Sequence, residues 1–212
     1  MNLYLREGVH VALIDQDAVI LDVASDAYLC LPGAAAGLAR MAAGARLVEG
    51  SLAAKLQAAG LASESPPAPV RPLPARPRRT IIHDERGRRF GLADIRSAAG
   101  ALMELRAVRR QGGLSPYLTV AREAPGLSQD PARVRAAARA FWGFIPWAPF
   151  SGECLQRSAL LIAYLRRCGL RADWVFAVRL WPFSAHCWVQ CEDTCLNDEA
   201  ERLQAFTPIL CQ

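Results

Sequence analysis

The helix that decides the fold begins at a cysteine, in the stretch Ser151-Gly152-Glu153-Cys154-Leu155-Gln156-Arg157-Ser158. Apolar residues then recur every three or four positions as far as Leu165, and Gly169 is the expected stop. A thiol at a helix start is favoured as the thiolate, because the helix dipole and the unpaired N–H groups stabilise negative charge. The same N–H groups suit the oxyanion of a tetrahedral intermediate. The stretch therefore predicts a nucleophile, Cys154.

Three short runs after this helix are predicted as strands, at 172–180, 185–190 and 194–198. If the last two pair as an antiparallel hairpin centred on Glu192, His186 lies directly opposite Asp198. Facing residues have Cβ atoms about 4.5–5.5 Å apart, so a carboxylate there accepts a hydrogen bond from the imidazole. The sequence thus predicts a catalytic triad of Cys154, His186 and Asp198, shielded from water by Trp188 on the same face.

The same segment admits a metal interpretation, since His186, Cys187, Cys191 and Cys195 together resemble a zinc ligand set. His186 and Cys187 point to opposite faces of an extended strand, however, and the sequence has no Cys-x-x-Cys pair. We therefore expect no metal and no cofactor. Apart from Cys154, the cysteines are interpreted as packing residues, and the other two histidines have no acidic or thiol context that suggests a role.

Composition excludes several classes of protein. The chain has 212 residues, seven cysteines and a net charge of +5. The odd number of thiols cannot all pair, no apolar run is long enough to span a bilayer, and the first residues lack a secretion signal. We therefore expect a cytoplasmic protein with reduced thiols and no membrane partner. The arginines are concentrated between 71 and 110 without alternating aromatic residues, so we expect no nucleic-acid partner.

A proline-rich stretch divides the chain. Six prolines between 63 and 77 exclude a helix and predict an extended, semi-rigid linker at 63–79. This linker separates an N-terminal domain at 1–62 from a C-terminal domain at 80–212.

Each predicted domain has its own order of elements. The first has three strands (9–13, 18–23 and 27–31) and then two helices (33–43 and 49–59), the order of a small winged-helix-like module. The second has helices at 93–111 and 131–142, then the Cys154 helix and an antiparallel sheet, so the fold class is α+β. Its aromatic run at 141–147 is either a wall of a substrate groove or core packing.

Four stretches of the C-terminal domain resemble a known family. They are Cys154-Leu155-Gln156-Arg157-Ser158-Ala159-Leu160, Leu165-Arg166-Arg167-Cys168-Gly169, Pro182-Phe183-Ser184-Ala185-His186-Cys187-Trp188-Val189 and Leu196-Asn197-Asp198. The domain that contains them resembles the B2 leader peptidase of lasso-peptide biosynthesis, a cysteine protease of transglutaminase-like or papain-like fold. That family commonly has alanine where this sequence has Cys187.

The N-terminal domain resembles the PqqD-like precursor-recognition module of the same pathways. The resemblance is carried by Val19-Ile20-Leu21-Asp22, by Ala27-Tyr28-Leu29-Cys30-Leu31 and by the alanine-rich helices that end at Gly60-Leu61. It implies that the leader of a ribosomally made precursor binds as an added strand along Tyr28, Leu29, Cys30 and Leu31. The linker would then let the peptidase domain reach the junction between leader and core.

Together the two resemblances imply the fused form of the lasso-peptide B protein. Its activity would be cleavage of leader from core, beside a partner cyclase that resembles asparagine synthetase. Two alternatives to this peptidase stay open. One is a catalytically inactive leader-binding adaptor. The other is a thiol acyltransferase of the transglutaminase or arylamine acetyltransferase type.

Overall fold

The computed structural model describes residues 3–42, 51–84, 91–121, 125–147 and 153–212, with only the backbone described at 40–42 and 147. The strands in these ranges are β1 (Tyr4–Leu5), β2 (Val9–Ile14), β3 (Asp17–Asp22), β4 (Ala27–Leu31), β5 (Ala62–Ser63), β6 (Arg79–Thr80), β7 (Asp173–Arg179), β8 (Ser184–Cys191), β9 (Thr194–Cys195) and β10 (Thr207–Cys211). The helices are α1 (Ala35–Ala42), α2 (Ser51–Ala58), α3 (Leu92–Arg109), α4 (Ser115–Leu118), α5 (Pro131–Phe144), α6 (Cys154–Arg167) and α7 (Ala200–Leu203).

The N-terminal unit is built on an antiparallel sheet in the order β2-β3-β4. The β2–β3 hairpin turns at Asp15, whose φ of 53° lies in the left-handed region that two-residue hairpin loops require. One face of the sheet, with Val9 and Ile20, packs against Leu38 of α1 and Leu56 of α2. The predicted meander with two following helices is therefore confirmed for the described residues. The short β1–β5 pair was not predicted.

The opposite face of this sheet belongs to the core of the C-terminal unit. Ala12, Val19 and Leu21 are buried in the same cluster as Leu161 of α6 and Trp174 of β7. A core of about 60 residues is only marginally stable alone. The two predicted domains are therefore joined by a shared apolar interface.

The C-terminal unit has a five-stranded sheet in the order β10-β7-β8-β9-β6. One face packs on α6, where Leu161 and Tyr164 meet Trp174 and Val189 of the sheet. The other face carries Val175, Ala177 and Trp188 and is covered by Leu203 of α7 and by Phe206. Helix α6 thus lies at the centre of the molecule, and all of its residues from 158 to 165 are buried.

Local signals located the helices well. Asp130 caps α5 by accepting from the Arg133 N–H at 2.8 Å, with Pro131 at the first helical position. Gly169 follows α6 with φ of 72°.

The predicted sheet differs from the observed one. The expected antiparallel sheet is mixed, because β6 pairs parallel to β9. The strand expected at 194–198 ends at Cys195. The elements β10, α4 and α7 were not predicted, and β10 pairs with β7 at the sheet edge.

The proline-rich segment, residues 66–78, contains no helix, as predicted, but it is fastened to the C-terminal unit. Arg71 forms an ion pair with Asp173, Gln190 Nε2 donates to Ala75 O at 3.0 Å, and Gln204 Nε2 donates to Pro77 O at 2.8 Å. It therefore lies along the unit rather than acting as a free spacer. None of the helices in the described ranges is both long and apolar enough to cross a membrane.

Replacement of Gln190 tests this attachment. Its fully buried side chain also accepts from Trp188 Nε1 at 2.6 Å. We expect Gln190→Ala to lower the free energy of unfolding by about 2–3 kcal/mol, because it leaves the buried indole N–H unsatisfied and removes the hydrogen bond to Ala75. Guanidinium denaturation measures the change. The exposed Gln57→Ala is the matched control, with an expected effect below about 0.5 kcal/mol, and equal effects in both variants would contradict the attachment.

Candidate active site

Cys154 is the first residue of α6. Glu153 precedes it in extended conformation, and its carbonyl accepts from the Arg157 N–H at 3.0 Å. The N–H groups of the first turn have no partner within the helix and favour negative charge at the sulfur. Ser151 and Gly152 lie outside the described residues. Because α6 is buried along most of its length, the position of the thiol is fixed by the core.

His186 lies on β8, opposite Ala177 of β7. Its Nε2 is 2.5 Å from Asp198 Oδ2, and the two side chains are 7% and 14% exposed. The ring is also close enough to the Cys154 thiol for the two groups to shift each other's pKa. Since Nε2 is occupied by the carboxylate, Nδ1 is the nitrogen left to interact with the sulfur. The three residues predicted as a triad therefore lie close together.

The predicted reason for the contact between His186 and Asp198 was wrong. The β8–β9 loop has two residues, Glu192 and Asp193, because Cys191 pairs with Thr194. Glu192 has φ of 54°, as such a loop requires. A regular ladder in this register would place Asp198 opposite Cys187 rather than His186. The strand instead ends at Cys195, and a bend at 196–198 brings the carboxylate to the imidazole.

Side chains from distant parts of the chain hold this bend. Asn197 Oδ1 accepts from the Val189 N–H at 2.7 Å, and its Nδ2 donates to Ser158 Oγ of α6 at 2.8 Å. Trp142 Nε1 donates to the Leu196 carbonyl at 2.7 Å. Sequence reasoning missed these roles. The available signal was Leu196-Asn197-Asp198 itself, since Asn and Asp are poor strand residues.

The carboxylate has contacts of its own. Asp198 Oδ1 accepts from the Glu199 N–H at 2.8 Å, and its backbone carbonyl accepts from Thr80 Oγ1 at 2.7 Å. Burial opposes ionisation of Asp198, but the hydrogen bonds from His186 and from the Glu199 N–H outweigh it and lower the pKa. The carboxylate therefore stays ionised beside the imidazole.

Cys187 also belongs to the site, although it was expected to be structural. Its buried thiol and its backbone N–H are close enough to the Cys154 sulfur to lower the pKa of that thiol. Its Sγ is 3.7 Å from Ser158 Oγ. The Cys154 sulfur therefore lies near β8, within electrostatic range of both His186 and Cys187, whose side chains leave the strand on opposite faces.

The interactions among these residues determine the protonation states of Cys154, His186 and Cys187. The S–H of Cys187 is the largest cause that lowers the pKa of Cys154, to about 4; burial opposes the shift and His186 supports it. Burial lowers the pKa of His186, but Asp198 and the Cys154 thiolate outweigh it and raise it to about 9. Burial keeps the pKa of Cys187 well above its usual value, so this thiol remains a donor. Both shifts favour the thiolate–imidazolium pair near neutral pH.

Aromatic rings surround the imidazole. Trp188, fully buried, has its ring centroid 6.4 Å from that of His186, and Phe206 lies 5.3 Å away on the same side. The shielding expected of Trp188 is therefore present, and Phe206 was missed. In the run at 141–147, Phe141 is core packing, whereas Trp142 supports the bend.

Two further expectations concern acidic and metal-binding residues. The sequence around His83 suggests no acidic partner, but in the structure its Nε2 is 2.8 Å from Glu199 Oε1. Within the described ranges, no group of three or more His, Cys, Asp or Glu side chains is arranged to hold a metal ion.

A cavity of about 560 Å³ lies between β1–β2, the proline-rich segment and β10. None of Cys154, His186 and Asp198 lines it, so it is separate from the thiol site.

Strand β4, the predicted leader-binding element, lies close to the thiol. It is the last strand of its sheet, and no other described strand pairs with its second edge. The side chain of Tyr28 packs against the buried cluster that the two units share. Burial, with smaller contributions from nearby Cys187, Asp26 and Cys154, raises the pKa of Tyr28 to about 12. The ring is therefore within electrostatic range of the nucleophile.

Replacement of Cys187 tests its role as a donor. We expect Cys187→Ala to raise the pKa of Cys154, so that the acid limb of iodoacetamide labelling moves upward by about one pH unit. Cys187→Ser keeps a donor and should shift the limb less. Labelling at Cys154 is followed by peptide mass spectrometry from pH 3 to 9. Cys168→Ser, the same substitution at the other end of α6, is the control. Identical labelling profiles for all variants would exclude the Cys187 thiol as a cause of the low pKa of Cys154.

The family of the chain was identified by comparison with known proteins. Residues 98–211, just over half of the chain, match the family described as the transglutaminase-like superfamily. The match runs from α3 to β10 and includes Cys154, His186 and Asp198. Comparisons with curated proteins and with solved structures found no match. The chain therefore belongs to the transglutaminase-like superfamily.

Proposed function

We propose that this chain is a cysteine peptidase that binds the leader of a ribosomally made precursor peptide and cleaves it from the core during lasso-peptide maturation. The observation that carries the proposal is the hydrogen bond between His186 and Asp198 within electrostatic range of the Cys154 thiol, in a chain whose N-terminal sheet has an edge that no described strand pairs with. The superfamily includes both peptidases and acyltransferases, and the sequence resemblance favours the leader peptidase.

The residues suit a two-step hydrolysis. The Cys154 thiolate attacks the scissile carbonyl, and the N–H groups at the start of α6 stabilise the oxyanion. The imidazolium of His186 then gives its proton to the leaving amine, so the peptide bond breaks and a thioester remains. His186, now neutral, takes a proton from water, which attacks the thioester and releases the acid. Asp198 holds the ring orientation throughout.

Recognition of the leader would use the open edge of β4. Val23 N donates to Gly8 O at 2.9 Å, so the odd-numbered residues of β3 bond to the β2 side. The even-numbered residues of β3 therefore bond to Ala27, Leu29 and Leu31 of β4. It follows that the backbone N–H and C=O groups of Tyr28 and Cys30 point to the open edge. An extended leader segment is the ligand that such an edge takes.

The pathway context completes the proposal. The partner we propose is a cyclase that resembles asparagine synthetase and closes the lasso ring after cleavage. The proposal requires, beside the gene of this chain, genes for a short precursor peptide and for such a cyclase. The precursor encoded there is the substrate for the tests below.

The first test concerns the reaction. The full chain should cleave the precursor once, and the two products together should exceed the substrate by the mass of one water. Cys154→Ala should lower the rate at least about 10³-fold while the leader still binds. Mass spectrometry separates the alternatives: loss of ammonia with crosslinking indicates acyl transfer, and unchanged cleavage by Cys154→Ala refutes the mechanism. Binding without any cleavage by the intact chain indicates an adaptor.

The second test concerns the edge. Cys30→Pro removes an outward N–H and leaves the β3–β4 ladder intact. We expect it to weaken leader binding about tenfold or more, measured by fluorescence anisotropy of a labelled leader on the full chain. Cys30→Ala keeps the N–H and should bind within about twofold of the wild type. Equal binding by Cys30→Pro and Cys30→Ala would count against strand addition at this edge.

A further inference from the structure

The turn between β7 and β8 carries two exposed aromatic side chains. Trp181 and Phe183 are 72% and 47% exposed. Such rings are costly to leave in water and often mark binding surfaces. The turn directly precedes the His186 segment of β8, so a ligand on these rings would lie beside the catalytic strand.

The same turn reaches the N-terminal sheet. Trp181 Nε1 donates to Asp17 Oδ2 at the start of β3, at 3.3 Å. The rings of Phe183 and Tyr28 are 5.5 Å apart, with an interplanar angle of 56°. Tyr28 in turn packs against the buried cluster that Cys154 contacts. The aromatic turn therefore lies against β4 and against the start of β3.

Strand alternation divides β4 into two faces. Leu31 packs with the small core against α1 and α2, and Leu29, 44% exposed, is on the same face. Tyr28 and Cys30 are on the other face, toward Phe183. A peptide added to this edge would also alternate. Every second side chain of that peptide would face Leu29 and α2, and the others would face the aromatic turn.

On the basis of the proposed function, we propose that Trp181 and Phe183 form the second half of the leader-binding site. They select apolar or aromatic side chains at alternate positions of the bound segment. The C-terminal unit thus binds the leader directly, in addition to cleaving it. The tilted rings of Phe183 and Tyr28 provide the surface on which such side chains pack.

The test is a selection of displayed random peptides on the full chain carrying Cys154→Ala, which prevents cleavage. We expect a consensus with apolar residues at two interleaved sets of alternate positions. With Trp181→Ala and Phe183→Ala added, one set should lose its apolar preference and the other should keep it. A consensus peptide should bind this variant about 10- to 100-fold more weakly. Met103→Ala, an equally exposed apolar change on α3, should leave its affinity unchanged.

Each other outcome has a defined meaning. An unchanged consensus in the double variant overturns the aromatic half-site and leaves the proposed function standing. If the enriched peptides bind the Cys30→Pro variant as tightly as the parent chain, recognition at β4 is refuted, and so is the aromatic half of the site. Phe183→Leu should restore most of the affinity if packing is the cause. If Phe183→Ala lowers the thermal midpoint, Trp181→Ala alone, at the more exposed ring, decides the question.

Discussion

The site depends on the chain leaving the sheet at Leu196, whose N–H still donates to Val189 O at 2.8 Å. If β9 continued, the Leu196 carbonyl would accept from the Val189 N–H, and Asp198 would face away from the imidazole. Asn197 makes the departure possible, because its side-chain oxygen accepts the buried Val189 N–H that a continuing strand would have satisfied. An orphaned N–H there would cost about 1–3 kcal/mol. The amide also reaches Ser158 and so ties the bend to the helix that begins at Cys154.

Charge balance at the nucleophile follows from this arrangement. The site holds two anions and one cation in a largely buried space, which burial alone would disfavour. Neutral donors compensate: the S–H and N–H of Cys187 at the sulfur, and the N–H of Glu199 at the carboxylate. Neutral donors stabilise the thiolate without adding a second cation that would be left unpaired when the sulfur is acylated. His186 can therefore give up its proton at the leaving amine, the step in which the proposed hydrolysis needs it.

The attachment of the two units changes how a bound peptide would meet the thiol. The shared core of Val19, Leu21 and Trp174 fixes the N-terminal sheet on the C-terminal unit, and the proline-rich segment is fastened along its length. A flexible tether raises local concentration without fixing direction. A rigid docking also fixes orientation, which contributes more to catalysis. In the proposed function, the β4 edge would therefore set which peptide bond reaches Cys154.

Local signals in the sequence were sufficient to predict the main helices and the residue types of the site. Asp130-Pro131 and Gly169 mark helix ends through backbone geometry, and a cysteine at a helix start followed by a histidine strand indicates thiol chemistry. The hairpin register, the bend at 196–198, the parallel β6–β9 pair and the role of Cys187 could not be predicted in this way. Each of these is set by partners distant in the chain or across the sheet, such as Asn197 with Ser158. Periodicity within a segment specifies which face a residue is on, but it contains no information about what that face meets.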